Sequence, residues 1–232
     1  MDSMYSTIMD LPLFKGISKD HVSAFLEKTH VSFVNYGKGE RLHDRCQPCR
    51  VMRFVISGSV RVSHTHISET CTISEVLTPG SVIGADRLFG MNTEYSSDAD
   101  AISTVSVMEF SKEQYLKLLA SDEIYLINVL NFLSRRAQIP KDFLTLLYSG
   151  SLLGNLAFWV STLTEIKSHS IEIQATIQAL STLTNISQAS IRTQLAELRE
   201  SGLAGYAPGR IKILSRADII NAAIEQNLNS SK

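Results

Sequence analysis

Cysteine, proline and tryptophan are all scarce in this chain of 232 residues, at three, five and one. A small, odd number of cysteines in a chain this long builds no disulfide framework and fits a reducing compartment. No apolar stretch approaches the roughly 20 residues that a membrane-crossing helix needs. The N-terminal "MDSMYSTIMDLPLF" has acid where a signal peptide has its basic region, which argues against export and for a cytoplasmic protein with no membrane partner. An excess of charge of either sign is missing as well. Lys and Arg number 22 against 23 Asp and Glu, a net −1, so the strong basic footprint of many nucleic-acid binders is not there. Dividing the chain at Gly150 changes little, since residues 150–232 carry seven basic and six acidic side chains. The catalytic signatures of fixed spacing are absent too: no P-loop, dinucleotide fingerprint, nucleophile elbow or His-Glu-x-x-His, and so no enzyme is expected. What remains is ordinary globular composition, 44% hydrophobic and 19% charged, in a length that suits one large or two modest domains.

What is present changes character along the chain. After an apolar-patterned helix near Ser18–Lys28, the first 110 residues read mainly as short β-strands: "HVSFVNY", "RVMRFVISG", "SVRVSHTHI", "CTISEVL" and "AISTVSVMEF". Gly, Pro and Asp punctuate them at spacings of about ten residues, the pattern of a sandwich or small barrel rather than a parallel sheet. "SKEQ" at 111–114 is a capping box, with Ser111 accepting at the helix start and Gln114 reaching back. A second helix begins near Ser121-Asp122-Glu123, its first-turn acids favoured by the helix dipole. Along it Leu126, Leu130, Leu133, Ala137, Pro140, Leu144 and Leu147 recur at spacings of four and three, a coiled-coil stripe held for about three heptads. That stripe predicts a helix that pairs with its copy in a homodimer. Pro140 is expected to kink the helix or end it, because proline removes a hydrogen bond and crowds the preceding turn.

From Ser151 the pattern runs helix ("LLGNLAFWVSTL"), polar linker ("TEIKSHS"), short strand ("IEIQ") and then two close-set helices. Thr176 is placed to cap the first, whose inner side is Ile177, Leu180 and Leu183; Ser187 is placed to cap the second, whose inner side is Ile191, Leu195 and Leu198. A join this tight needs one residue tolerant of left-handed backbone, and Asn185 can fill it. Ser181 is small where the helices approach most closely, and Ile186 plugs the corner. This is a helix-turn-helix. "GLAGYAPGRIKILS" adds a hairpin turning at Pro208-Gly209, which makes the module a winged helix, and "SRAD" caps a last helix. The outer half of the second helix is short, polar and nearly free of acid. In a helix-turn-helix that half enters the DNA major groove. The candidate DNA-binding residues are Thr176, Ser187, Gln188, Ala189, Ser190, Arg192 and Thr193, with Arg210 and Lys212 on the wing. Gln188 suits adenine and Arg192 suits guanine or a phosphate.

With these motifs laid out, the chain resembles the Crp/Fnr family of bacterial transcription regulators from about Leu11 to Leu214. The resemblance rests on the order and spacing of "VISGSVRV", "LTPGSVIGADRLFG", "LSRRAQ", "LLGNLAFWV" and "TIQALSTLTNISQASIRTQLAELRESGL". It implies an α+β fold with an N-terminal jelly-roll sensor of the cyclic-nucleotide-binding type over residues 1–120. A dimerisation helix over 121–149 and a winged helix over 150–232 would follow. It also implies a homodimer on a two-fold related site in double-stranded DNA, a small-molecule effector and RNA polymerase as a further partner. The effector pocket it points to comprises Ile83, Gly84, Ala85, Tyr95 and Ser96. Here the chain departs from cyclic-nucleotide-binding members. Their ribose-binding Glu is replaced by Ala85 and their phosphate-binding Arg by Tyr95, with only Ser96 kept; Pro140 stands where the dimer helix meets the nucleotide. A buried phosphate without its guanidinium lacks the charge-assisted bonds that offset desolvation, so the expected effector is not cyclic AMP. Its identity, and any cofactor, stay unknown. The family's Arg-Glu-x-x-x-Arg reading pattern is also replaced, by Gln188 to Thr193, which implies a different operator. Gln194 takes a position that is more often apolar.

Two other constellations compete. Cys46-Gln-Pro-Cys49 lacks a second pair or a neighbouring His for zinc, sits between strands rather than at a helix start, and has no more N-terminal Cys to complete a cluster. Ordinary turn cysteines are expected. His64 and His66, two apart on a strand, face the same side as metal ligands can, and "GSVRVSHTHISE" approaches the first metal motif of cupin enzymes. Glu69 follows too soon and no later His is supplied, so no metal site is expected. A haem- or gas-sensing member of the same family and a cupin-like metal enzyme are the alternative readings.

Overall fold

The computed structural model describes residues 2–28, 31–144 and 151–230. The chain divides into two compact units, Met1–Val62 with Leu77–Arg135, and Ser63–Val76 with Arg136–Lys232. In chain order the elements up to the end of the long helix are α1 (Asp2–Met9), a 3-10 turn (Pro12–Phe14), α2 (Lys19–Lys28), β1 (Ser32–Tyr36), β2 (Arg41–His43), β3 (Val51–Ser57), β4 (Val60–Thr65), β5 (Cys71–Leu77), β6 (Val82–Ile83), β7 (Asp98–Ala101), β8 (Val105–Ser111), α3 (Lys112–Ser121) and α4 (Glu123–Leu144).

The first unit is a two-layered β-roll. One layer is antiparallel in the order β1-β8-β3-β6, and the other has the order β4-β7-β2. Alternation along β3 and β8 sends side chains to both faces. Val55, Val105 and Val107 join Leu42, Val60, Val62, Leu77, Ala99 and Ala101 in a core shared by the two layers. Met52, Phe54, Ile56, Met108 and Phe110 join a second core with Leu11, Phe14, Leu118, Tyr125 and Val129 from the N-terminal segment and the helices. Strands buried on both faces read as nearly continuous apolar runs, which is why these two were plain in the sequence. The strands β2, β6 and β7 and the helix α1 were not read there; they span two to eight residues and show no usable period. The β3–β4 turn depends on Gly58, at φ +81°, because a Cβ there would lie 2.1 Å from the Thr104 carbonyl oxygen.

The capping box forms as expected: the Ser111 hydroxyl accepts the Gln114 N–H at 3.2 Å, and the Gln114 side chain accepts the Ser111 N–H at 2.8 Å. Helix α4 decides between the two outcomes expected at Pro140, a kink or an end. It does not end at Pro140 but runs on to Leu144. The proline forgoes one helical hydrogen bond, and Phe143, buried three residues later among the second unit's apolar residues, holds the turn that follows.

The second unit contains α5 (Leu152–Leu163), β9 (His169–Ala175), α6 (Ile177–Thr184), α7 (Gln188–Glu200), β10 (Ala204–Ala207), β11 (Arg210–Ile213) and α8 (Arg216–Ser230). Strand β9 is longer than the expected "IEIQ" because it is paired on both sides, with β11 and with β5. The tip of the β4–β5 hairpin therefore belongs to this unit, and Cys71 and Ile73 enter its core beside Leu156, Ile173 and Leu195.

Candidate nucleic-acid interface and sensor loop

Helices α6 and α7 meet as the local chemistry requires. The Thr176 hydroxyl accepts the Ala179 N–H at 3.1 Å and the Ser187 hydroxyl accepts the Ser190 N–H at 3.2 Å, so each helix start has an orphan donor satisfied. Asn185 takes the left-handed conformation, φ 54° and ψ 32°. The Ser181 hydroxyl donates to the Ile186 carbonyl at 2.7 Å, and the Ile186 side chain is buried. Ile191, Leu195 and Leu198 point into the core, which leaves Gln188, Ala189, Arg192 and Thr193 on the outer face of α7. Positions i, i+1, i+4 and i+5 form one continuous face of a helix. Ala189, Arg192 and Thr193 are exposed and Gln188 is half-buried. Ser190 turns aside: its hydroxyl accepts from Gln194 Nε2 at 3.0 Å.

The wing is the antiparallel pair β10–β11, with Gly209 at φ +78° in its turn. Arg210 and Lys212 both stand exposed on β11; Arg210 is paired with Glu172 of β9 at 3.3 Å. The expected cap of the last helix is present, with Ser215 accepting the Asp218 N–H at 3.2 Å.

Two glutamines acquire roles that the sequence reading missed. Gln194 Oε1 accepts the Leu152 N–H at 2.7 Å, tying α7 to the start of α5, which is why a polar residue occupies a position that is more often apolar. Gln178 on α6 accepts from Gln188 Nε2. These bonds span 42 and ten residues, separations with no periodic signal in the chain.

The residues expected to form an effector pocket fall in different surroundings. Ile83 is in the core between the β-layers, Ser96 is exposed, and Ala85 is on the wall of a cavity. That cavity, about 20 Å³, has room for a single water and is walled mainly by apolar side chains, among them Leu13, Phe54, Phe89, Val129, Phe132 and Leu133. Gly84 needs its φ of +84°, and a Cβ there would come within 3.0 Å of Cys49 Sγ and 3.3 Å of the Tyr95 ring. Tyr95 is buried inside a polar knot that the sequence did not disclose. Its hydroxyl accepts from Arg53 at 3.0 Å, Arg53 Nε donates to Glu109 at 2.6 Å, and its ring stacks on His43 at 3.6 Å. Burial, more than the neighbouring Arg53 can offset, pushes the Tyr95 phenol well above its ordinary value, so it stays protonated.

On α4 the stripe divides. Leu126, Leu130, Ala137 and Leu144 are exposed, whereas Leu133 is half-buried against the first unit's core and on the cavity wall. Leu147 lies outside the described residues. The cysteines are free thiols: Cys46 is exposed at φ 67°, and Cys49 and Cys71 are buried. Among the described residues no group of three or more His, Cys, Asp or Glu is placed to hold a metal, and His66 Nδ1 bonds to the Ser68 hydroxyl at 2.7 Å. No helix among them is long and apolar enough to cross a membrane.

Comparison with known proteins adds a class to this geometry. Residues 33–122 match the family described as "Cyclic nucleotide-binding domain". No curated protein matches the chain. Among solved structures, catabolite activator protein from Thermus thermophilus is similar over 93% of this chain and 99% of its own, at TM-score 0.52 and 21% identity. The sensor domain of the transcriptional regulator DNR from Pseudomonas aeruginosa covers 59% of this chain and 90% of its own, at TM-score 0.50 and 21% identity. A transcriptional regulator of the CRP/FNR family, also from Thermus thermophilus, aligns over 84% of this chain and 98% of its own, at TM-score 0.44 and 19% identity. The β-roll thus matches the cyclic nucleotide-binding domain over residues 33–122. The chain as a whole shares the fold of the Thermus thermophilus catabolite activator protein.

Proposed function

We propose that this protein is a homodimeric, sequence-specific DNA-binding transcription regulator of the Crp/Fnr type. In this reading residues 1–120 sense, 121–149 pair and 150–232 bind DNA. The observation that carries it is the outer face of α7: exposed Ala189, Arg192 and Thr193 lie together with half-buried Gln188 at the start of a helix whose other side is packed. Base edges are read by such side chains in the major groove, while Lys212 and Arg210 on the wing suit phosphates. The exposed Leu126, Leu130, Ala137 and Leu144 supply the pairing surface, since apolar residues at coiled-coil spacing are stabilised by burial against a copy.

The controlling effector is a small molecule other than cyclic AMP. A cyclic nucleotide would have to displace Tyr95 from its stack and its bond to Arg53, in a sensor whose described cavity admits one water. Control works by population shift: the effector favours one arrangement of the two α4 helices, and so one spacing of the reading helices. RNA polymerase is the expected protein partner of the bound dimer.

The test is selection of bound sequences from a random duplex pool at low salt, with and without metabolite extract. Recovery of a two-fold related site with half-sites about 10 bp apart supports the proposal. A protein that sediments as a monomer and retains no duplex overturns it. A Soret band in the purified protein would transfer support to the haem-sensing alternative.

A further inference from the structure

Gln188 is the first residue of α7, and Gln178 is the second residue of α6. Both backbones are fixed by the caps at Thr176 and Ser187 and by the left-handed Asn185 between them. Across that turn Gln188 Nε2 donates to Gln178 Oε1. We infer that Gln178 is a positioning residue for specificity, holding the Gln188 amide in the one orientation that reads adenine. The inference rests on the DNA-binding reading above.

A glutamine amide has two N–H donors and one carbonyl oxygen. With one N–H committed to Gln178, Gln188 keeps an N–H and Oε1 side by side. That pair complements adenine, which offers N7 as acceptor and N6–H as donor on its major-groove edge. Guanine offers acceptors at both N7 and O6, so Oε1 would face O6 with no proton between them. The terminal amide torsion is broad and roughly two-fold. Untethered, Gln188 could present both of its N–H groups to the two acceptors of guanine instead. Gln178 therefore acts on the choice between bases and not on attraction to the backbone.

Four proteins carried through the same duplex selection and salt titration test this: wild type, Gln188→Ala, Gln178→Ala and Gln178→Glu. Gln178 is exposed, and unchanged thermal unfolding of each variant establishes that the fold is kept. Gln188→Ala should relax the preference at one position per half-site. Gln178→Ala should relax it at that same position, shrinking the adenine-over-guanine affinity ratio by about five-fold or more, with the salt dependence unchanged. Gln178→Glu should keep the preference, because its carboxylate still accepts from Nε2, while weakening binding to all sequences alike by repelling phosphates. The inference is overturned if Gln178→Ala weakens every duplex equally and flattens the salt dependence, which would make Gln178 a phosphate contact. It is overturned too if Gln178→Glu loses the preference, or if Gln188→Ala relaxes a position that Gln178→Ala leaves intact. If Gln188→Ala changes no selectivity, the inference falls but DNA binding stands. If wild type retains no duplex, the DNA-binding reading falls and takes the inference with it.

Discussion

Replacing His43 by phenylalanine should flatten the acid side of the stability curve of the first unit. His43 is 3% exposed, its ring is stacked on Tyr95 with an interplanar angle of 14°, and neither ring nitrogen has a hydrogen bond of normal geometry. Burial, with the nearby Arg53 charge adding to it, lowers its pKa from 6.5 to about 4, while Asp98, Asp44 and the Ser97 backbone pull the other way. The neutral imidazole is therefore the folded form. Its contribution to stability is whole above pH 6.5 and is lost as pH falls from there towards 4, because the unfolded chain takes up the proton first. At 1.36 kcal/mol per pH unit, a shift of that size makes the loss about 3 kcal/mol. The phenyl ring of the variant keeps the stack without a titrating nitrogen. Glu75, which lies in the second unit and which burial pushes up to about 7, runs in the opposite sense, its contribution falling as pH rises through 4.5 to 7, so an unfolding curve of the whole chain mixes the two. The difference between wild type and His43→Phe isolates the histidine. Amide exchange in β3 and β8, measured between pH 7 and 4.5, reads the stability of this unit directly, whereas Trp159 fluorescence reports the other unit. Wild type should lose ground to the variant steadily as pH falls. Parallel curves would mean that the buried imidazole carries no such penalty.

Changing Leu126 and Leu130 together to Asp should convert a dimer to a monomer in sedimentation, with the melting of each unit unchanged, since both side chains are exposed in the single chain. An intact dimer would move the pairing surface elsewhere. Asn185→Val should lower the second unit's stability by about 1–2 kcal/mol, because a β-branched side chain resists the left-handed backbone there, and thermal unfolding followed by Trp159 will check it. Lys212→Ala should weaken binding to all duplexes alike and reduce the salt slope by about one; a change in base preference instead would mean that the wing enters a groove.

The parts of this protein that could be read in advance are those set by neighbours in the chain. The caps at Ser111, Thr176, Ser187 and Ser215, the left-handed Asn185, the Pro208-Gly209 hairpin and the limits of α5 follow from a few residues acting on their own backbone. The resemblance to the Crp/Fnr family drew on the same local motifs in sequence order. The parts that could not be read depend on residues far apart. Leu133 shares the periodicity of Leu130 and Ala137, yet it alone of the three is half-buried, because it packs against the first unit's core and shares a cavity wall with Phe54, Phe89 and Pro12. Tyr95 differs from the expected arginine in a single letter, but only the folded chain brings Arg53, Glu109 and His43 around it. Likewise Gln178 and Gln188 are two ordinary polar residues until the turn sets them face to face. Backbone conformation is a short-range property carried by adjacent residues. The surroundings of a side chain are settled only when distant segments pack, and it is there that the chemistry around Tyr95 and on the outer face of α7 was decided.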